Sequence, residues 1–351
     1  MSKFFNPRLS NLEAYTPGEQ PRDRRYIKLN TNESPYPPSK GVRQAIDRQR
    51  LDALRLYCDP NATALKVELA KLYDKKPSQI FVANGSDDIL NFAFLAFGGE
   101  GVLFPDISYG FYEVFAALHQ LPFEKIPLKQ DFTIDVKPYC NQKKLVVIAN
   151  PNAPTGIALP LRKIEKILEA NPQNVVLIDE AYVDFGGESC ARLVEKYPNL
   201  LCVQTFSKSR SMAGARLGFA IASEELIADL ETIKYSTNPY NVNSLTQAAG
   251  VAAVQENGYY MRNCRKIIKS RLYTKKELEK LGFTVLPSKA NFLFAKSSRI
   301  SGMELYLKLK EKGILVRHFE KDRIREFNRI TIGSQQEMES FIAAVKEILG
   351  V

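Results

Sequence analysis

The feature that most constrains this chain is a regular alternation of short apolar runs with helical patterns, which begins near residue 60. Apolar runs of strand length lie at residues 80–83, 102–104, 145–149, 175–178 and 201–205. Helical spacing of apolar residues fills the intervals, at about 61–73, 87–97, 109–119, 160–170 and 189–196. Alternation of this kind favours a mostly parallel sheet that is covered on both faces. We therefore predict an α/β fold with ligands bound at the carboxyl ends of its strands.

The pattern changes in the last third of the chain. A long amphipathic helix is predicted around residues 243–281, followed by strands at 283–286, 291–295, 314–317 and 329–332 and helices at about 302–311 and 335–349. This succession predicts a smaller α+β domain. The first 35 residues are polar and rich in proline, which indicates an arm that packs near the smaller domain. We expect an arm at 1–35, a large domain at 36–255 and a small domain at 256–351.

Composition narrows the class of protein. The apolar stretch from Ile89 to Phe97 is too short for a membrane span, which needs about 20 residues. The N-terminus lacks the apolar core of a signal peptide, and the five cysteines form no CxxC pair. We expect reduced cysteines and a cytoplasmic protein with no membrane partner. The chain has two histidines, which excludes a His-rich metal site, and we expect no metal.

The net charge of +10 comes in large part from one stretch, residues 262–276, which has seven lysines and arginines. A solvated helix face is the simpler interpretation, because the sequence shows no nucleic-acid motif with interleaved aromatic residues. We expect no nucleic-acid partner. A positive field also favours anionic small molecules, so the charge alone decides little.

Two strand ends have residues suited to an anionic ring cofactor. Asn84-Gly85-Ser86-Asp87 follows the first apolar run and precedes a helix, and the free amides at a helix start attract phosphate. Asp179 follows the run at 175–178, where a carboxylate is costly unless something pairs with it. The protonated ring nitrogen of pyridoxal phosphate (PLP) is such a partner, and a helix N-cap is the alternative explanation.

The third strand end is the most specific. Thr205-Phe206-Ser207-Lys208 ends the run at 201–205, and Arg216 follows eight residues after the lysine. A Schiff-base lysine needs a partly buried position where its amine can lose a proton. Two hydroxyls and a guanidinium close to it could hold a phosphate.

These motifs resemble those of fold-type I PLP-dependent aminotransferases. Residues 205–218 are similar to the family's PLP-lysine motif, and residues 179–182 are similar to its cofactor-ring motif. Elements similar to those of the histidinol-phosphate branch are Asn32-Glu33-Ser34-Pro35, Tyr57 with Asp59-Pro60, the segment 108–112, Arg317, and the segment 329–333. The resemblance runs from about Leu12 to Gly333, with its elements in the family's order.

The resemblance implies a role for each matching residue. Lys208 would bond the cofactor and carry the substrate's Cα proton, Asp179 would bind the ring nitrogen, and Tyr182 the ring oxygen. The cofactor phosphate would be held by Ser86, Asp87, Thr205, Ser207 and Arg216. Tyr109 would stack on the ring, and Tyr57 would reach the site of a second subunit, which implies a homodimer with shared active sites. Arg329 would bind the α-carboxylate, and Arg317 and Tyr15 the other end of the substrate.

The sequence departs from the family at one position. The family has an asparagine immediately before Pro-Thr-Gly, where it binds the ring oxygen, and here that position is Ala153. Asn152 is the predicted substitute, with Asn150, or Tyr182 acting alone, as the alternatives.

The implied reaction transfers an amino group between L-histidinol phosphate and 2-oxoglutarate. A PLP lyase such as a threonine-phosphate decarboxylase and a broad aromatic aminotransferase are the alternative enzymes. A basic binding protein with an inactive PLP fold would be favoured if Lys208 or Asp179 were missing, and both are present.

Overall fold

The computed structural model describes residues 4–10, 12–46 and 51–351. Within them the strands are β1 (Ile27–Lys28), β2 (Ile80–Ala83), β3 (Val102–Pro105), β4 (Phe123–Ile126), β5 (Leu145–Ala149), β6 (Val176–Asp179), β7 (Leu200–Thr205), β8 (Gly218–Ile221), β9 (Phe283–Val285), β10 (Phe292–Ser297), β11 (Ile314–Leu315), β12 (Arg317–His318) and β13 (Asn328–Thr331). The α-helices are α1 (Lys40–Ala45), α2 (Thr63–Tyr73), α3 (Ser86–Phe97), α4 (Phe111–Leu118), α5 (Leu161–Glu169), α6 (Glu224–Thr237), α7 (Ser244–Gln255), α8 (Asn257–Lys280), α9 (Gly302–Glu311) and α10 (Gln335–Leu349).

A seven-stranded sheet in the order β2-β8-β7-β6-β5-β3-β4 forms the centre of the larger layer. Its neighbours are parallel except at β8, which is antiparallel to both β2 and β7. Every residue of β5, β6 and β7 is buried, as expected where both faces of a sheet are covered. The prediction of a mostly parallel α/β sheet is confirmed.

Helix α5 shows how the local pattern produces this packing. Leu161, Ile164, Ile167 and Leu168 recur at helical spacing and are all buried, so that one stripe of the helix packs into the core. The helix predicted at 189–196 is wrong, because only a short 3-10 turn forms at Cys190–Leu193. There the backbone N–H of Cys190 donates to the Glu180 carboxylate, which ties the chain to the end of β6.

The long helix predicted around 243–281 is two helices, α7 and α8, which meet at Glu256. The carboxylate of Glu256 accepts a hydrogen bond from the Gly41 backbone N–H at 2.9 Å. This contact joins the helix junction to α1.

The C-terminal layer contains an antiparallel sheet in the order β12-β13-β10-β9, covered by helices that include α8 and α10. The strand predicted at 314–317 is divided between two sheets. β11 pairs in parallel with β1 from the N-terminal region, whereas β12 pairs with β13. The chain start is thereby attached to the C-terminal layer. No helix in the described part of the chain combines the length and apolar character that a membrane span requires.

Candidate active site

The candidate site lies where β2, β6 and β7 end. These strands run in the same direction, so Gly85, Asp179 and Thr205 meet at one edge of the large sheet. The cavity at this edge is lined by residues from all three strand ends and from the N-terminal region: Thr31, Glu33, Ser86, Asp87, Tyr109, Ala149, Pro151, Ala153, Asp179, Ala181, Tyr182, Thr205, Ser207, Lys208, Ala213 and Arg216. Nine of the predicted site residues are therefore brought together.

One end of the cavity is shaped for a phosphate. Helix α3 begins at Ser86 directly after Gly85, whose φ of +87° is in the range that favours glycine. A Cβ at Gly85 would lie 2.8 Å from the Arg216 guanidinium, so only glycine lets that side chain approach the helix start. The free amides of the first turn of α3 and the Arg216 charge both favour an anion here.

The Arg216 guanidinium at this end of the cavity is held by Asp87, which is itself held by Tyr109. Arg216 forms an ion pair with Asp87 at 2.9 Å, and Asp87 also accepts a hydrogen bond from the Tyr109 hydroxyl at 2.9 Å. The Thr205 hydroxyl accepts the Ser207 backbone N–H at 3.1 Å, which shapes the turn that leads to Lys208.

Asp179 is buried at the centre of the cavity wall. Its carboxylate accepts hydrogen bonds from the Tyr112 hydroxyl at 2.8 Å and from the Ala181 backbone N–H at 3.1 Å. Burial raises the pKa of Asp179 from 3.8 to about 6, against these two hydrogen bonds, which lower it. A cationic group on the open side of the carboxylate would offset that desolvation. Tyr112 lies in the aromatic segment recognised in the sequence, but its bond to Asp179 was not predicted.

Lys208 is partly buried and projects between the strand ends and the N-terminal region. Its Nζ donates to the Thr31 carbonyl at 3.3 Å and lies 5.7 Å from the centre of the Tyr182 ring. Tyr182 packs edge-on against Phe292, which fixes the ring plane. The lysine amine and the tyrosine hydroxyl therefore face the same cavity.

The structure does not bring Asn152 to this cavity. Its Nδ2 donates to the Ile107 carbonyl and to the Thr155 hydroxyl, each at 3.0 Å, and its Oδ1 accepts from the Ser108 hydroxyl. The side chain of Asn150 is engaged with both backbone groups of Leu159. Both amides are buried, and both N–H donors of Asn152 are used by protein groups. Ala153 is the residue of this loop that lines the cavity together with Pro151.

A second cavity adjoins the first and shares Thr31, Tyr109, Ala153, Tyr182 and Lys208 with it. Its outer wall contains the three residues predicted to bind substrate: Tyr15, Arg317 and Arg329. Sequence reasoning missed Asn30, Asn32, Phe319 and Lys321, which also line it. Asn32 belongs to the Asn-Glu-Ser-Pro segment, so a recognised motif marked its position without indicating its contacts.

The two arginines of the second cavity are only partly satisfied. Arg329 donates from NH2 to the Asn30 carbonyl at 3.0 Å, while its Nε is buried and has no hydrogen-bond partner among the described residues. Burial lowers the pKa of Arg329. Arg317 donates to the carbonyls of Thr16 and Pro17, each at 3.3 Å. A guanidinium has five N–H donors, so both side chains retain donors for an anion.

Tyr57 does not line either cavity. Its side chain is 84% exposed and stacks on Tyr240, with 4.5 Å between ring centres. Its predicted role at a neighbouring subunit's site therefore remains a prediction.

A family model described as aminotransferase class I and II matches residues 24–345. This chain belongs to that family. It is 51% identical to a histidinol-phosphate aminotransferase of Brachyspira hyodysenteriae over 99% of both chains, and 46% identical to one of Clostridium botulinum (strain Kyoto), again over 99% of both. Among solved structures it is similar to a histidinol-phosphate aminotransferase of Sinorhizobium meliloti in complex with pyridoxal-5'-phosphate, with a TM-score of 0.89, 22% identity and coverage of 100% of this chain and 98% of that one. The resemblance inferred from the motifs is confirmed at the level of the family.

Proposed function

We propose that this aminotransferase uses PLP to transfer an amino group between L-histidinol phosphate and 2-oxoglutarate, giving imidazole acetol phosphate and L-glutamate in histidine biosynthesis. The observation that carries the proposal is the pair Arg317 and Arg329, which retain donors in a cavity that Lys208 also lines. The high identity to relatives named for this substrate supports the same choice.

The residues of the first cavity fit PLP. The start of α3, Arg216 and the hydroxyls of Thr205 and Ser207 would hold its phosphate, because Gly85 leaves the space that the guanidinium occupies. When bound, PLP supplies a carbonyl that takes up the amino group and a ring that withdraws electrons from the substrate's Cα.

Three side chains would orient the ring. The Asp179 carboxylate would pair with the protonated ring nitrogen, and this pairing would offset the desolvation that raises the pKa of Asp179. The Tyr182 hydroxyl would donate to the ring oxygen, and Tyr109 would cover one face of the ring. Each of these groups lines the cavity already.

Lys208 has two tasks in this proposal. Its amine would hold the cofactor, and it would also carry the proton of the substrate's Cα. The Thr31 carbonyl, 3.3 Å from Nζ, orients the amine on the side where the substrate cavity opens.

The two half-reactions make different demands on the arginines. Glutamate has two carboxylates, whereas histidinol phosphate has one phosphate and no carboxylate. Arg329 would bind the α-carboxylate, because its NH2 donates to the carbonyl of Asn30, the residue before Thr31, whose carbonyl accepts from Lys208. Arg317, held by the arm at Thr16 and Pro17, would bind the distal anion of either substrate.

The proposal includes a homodimer with shared sites. The exposed pair Tyr57 and Tyr240, together with exposed Leu51, Leu54 and Leu56, presents an apolar surface that a second copy would cover.

A substrate panel tests the proposed function. Glutamate formation from 2-oxoglutarate would be followed with L-histidinol phosphate, with L-histidinol as the matched donor without phosphate, with phenylalanine and with threonine phosphate. We expect histidinol phosphate to exceed histidinol by at least about 100-fold in kcat/KM, because a bidentate arginine–phosphate pair is lost with the phosphate. Preference for phenylalanine, or release of CO2 from threonine phosphate without glutamate formation, would overturn the assignment.

A further inference from the structure

The segment 30–33 reaches the site from the N-terminal region and contacts three predicted site residues. The Asn30 carbonyl accepts from Arg329, the Thr31 carbonyl accepts from Lys208, and the side chain of Asn32 donates to the Tyr182 hydroxyl. The contact of Asn32 differs from the other two because it is made by a side chain, and substitution can therefore remove it.

Asn32 is held on every side. It is 1% exposed, and its φ of +57° is a left-handed conformation that asparagine tolerates better than most residues. Its backbone carbonyl accepts from Asn291 at 2.9 Å, and its backbone N–H donates to the Thr331 hydroxyl at 3.0 Å. These contacts fix the backbone from which the side chain projects.

The hydrogen bonds also fix which end of the Asn32 amide faces Tyr182. The Thr331 oxygen already accepts the backbone N–H of Asn32, and the Thr331 hydroxyl donates its own proton to Asn32 Oδ1 at 2.9 Å. Nδ2 is therefore the end that faces the Tyr182 oxygen, at 2.9 Å. Because the tyrosine oxygen accepts this bond, its single proton is left to be donated elsewhere.

The family resemblance implies an amide donor to the ring oxygen at the position of Ala153. Ala153 lines the cavity, but its methyl group cannot donate a hydrogen bond. The amide of Asn150 is engaged with Leu159, and that of Asn152 donates to the Ile107 carbonyl and to the Thr155 hydroxyl. Within the part of the chain that the structure describes, Asn32 makes the hydrogen bond that reaches the Tyr182 hydroxyl.

We propose that Asn32 is a positioning residue that compensates for the missing amide at Ala153. By donating to the Tyr182 oxygen it directs the tyrosine proton into the cavity and makes the hydroxyl a stronger donor to the cofactor's ring oxygen. The inference rests on the proposed function, since it assigns Asn32 a role toward PLP through Tyr182.

The test uses the holoenzyme and reads the pH dependence of the visible absorption band of the lysine-bound cofactor. A hydrogen bond to the ring oxygen opposes protonation of the nitrogen that joins Lys208 to the cofactor. Weakening that bond therefore raises the pKa of this nitrogen, which is read from the pH dependence of the band. Asn32→Asp keeps the size and the acceptor for Thr331 but replaces the donor with an acceptor, which turns the tyrosine proton away from the cavity. We expect the apparent pKa to rise by about one unit, a tenfold change in proton affinity.

Two further variants separate this role from a structural one. Asn32→Gly suits the left-handed backbone and removes the donor without adding charge, so it should shift the band in the same direction and serves if Asn32→Asp fails to fold. In a Tyr182→Phe background the uncharged Asn32→Gly substitution should add almost nothing, because Asn32 acts through the hydroxyl that is gone.

A restored amide provides the rescue. Ala153→Asn combined with Asn32→Asp would place an amide donor on the cavity wall where the family resemblance implies one, and it should recover most of the shift. If Tyr182→Phe shifts the band while neither Asn32 variant moves it by more than about 0.3 unit, the role of Asn32 is refuted. It is also refuted if the shifts of Asn32→Gly and Tyr182→Phe add in the double variant. If the unmodified protein forms no visible band with PLP, it is the proposed function that fails.

Discussion

Arg317→Ala is the change that most directly tests how this site recognises a phosphate. Two of the five guanidinium N–H groups of Arg317 are used by the Thr16 and Pro17 carbonyls, which leaves enough donors for a bidentate contact with an anion. The side chain is partly buried in the second cavity, which also contains Arg329 and Lys208. Truncation removes the distal anion contact and leaves Arg329 and Lys208 in place.

The expected loss of transition-state stabilisation follows from the two hydrogen bonds to the anion that Arg317→Ala removes. A hydrogen bond to a charged group contributes roughly 1.5–3 kcal/mol. Because Arg317 is partly exposed, the lower value applies, and two bonds amount to about 3 kcal/mol. That loss corresponds to about 150-fold in kcat/KM for L-histidinol phosphate. Phenylalanine has no distal anion and should lose less than about threefold.

The assay should follow the amino-donor half-reaction alone, by the change in cofactor absorbance in a single turnover. This choice matters because 2-oxoglutarate is itself a dicarboxylate and would suffer from the same substitution. Arg325→Ala is the matched control, since Arg325 is exposed and pairs with Asp322 and Glu326 outside the cavity. Equal losses for histidinol phosphate and phenylalanine would mean that Arg317 acts by holding the arm at Thr16 and Pro17, and the phosphate-recognition argument would be refuted.

Three further predictions concern the reaction centre and assembly. Lys208→Ala should abolish turnover while leaving the melting temperature within a few degrees of the parent, and transamination at an ordinary rate would contradict the assignment. In the cofactor-free protein the pKa of Asp179 is raised from 3.8 to about 6, so the folded state binds more protons between these values and loses stability as pH rises through them. Urea unfolding should accordingly show the stability advantage of Asp179→Asn over the parent shrinking by about 2 kcal/mol from pH 7 to pH 4; a pH-independent difference would mean that Asp179 is not desolvated. Mixing inactive Tyr57→Ala and Lys208→Ala subunits should restore part of the activity if sites are shared, whereas a fully active monomer in sedimentation would refute the dimer.

The strands predicted most accurately are those whose local sequence pattern alone indicates a buried strand. β5 and β7 are continuous apolar runs buried on both faces, and their bounds differ from the predicted ones by at most one residue. β8 was missed because Gly218–Ile221 is short and follows a glycine-containing turn. Its extended form depends on pairing with β2 on one side and β7 on the other, which no local pattern reveals.

In the candidate site, too, some features follow from local sequence patterns and others depend on contacts between distant residues. The residues at the strand ends could be predicted, because parallel strands bring their carboxyl ends together. The contact of Asn32 with Tyr182 could not, since the two residues are 150 positions apart and meet only after both layers have packed. Proximity in sequence favoured Asn152 instead, but both N–H donors of Asn152 are used by the Ile107 carbonyl and the Thr155 hydroxyl.

The pairing of β1 with β11 sets an order in which the site can be built. Ile27 pairs with Ile314, and the segment 30–33 is held next to it by Thr331. At a synthesis rate of roughly 5–20 residues per second, about 15–60 seconds pass between the synthesis of β1 and that of β11. The phosphate end of the site, from Gly85 to Arg216, needs neither of them. During synthesis the residues proposed to bind the cofactor phosphate are therefore made well before Arg317 and Arg329, which are proposed to select the substrate. The substrate pocket is the last part of the site that can form.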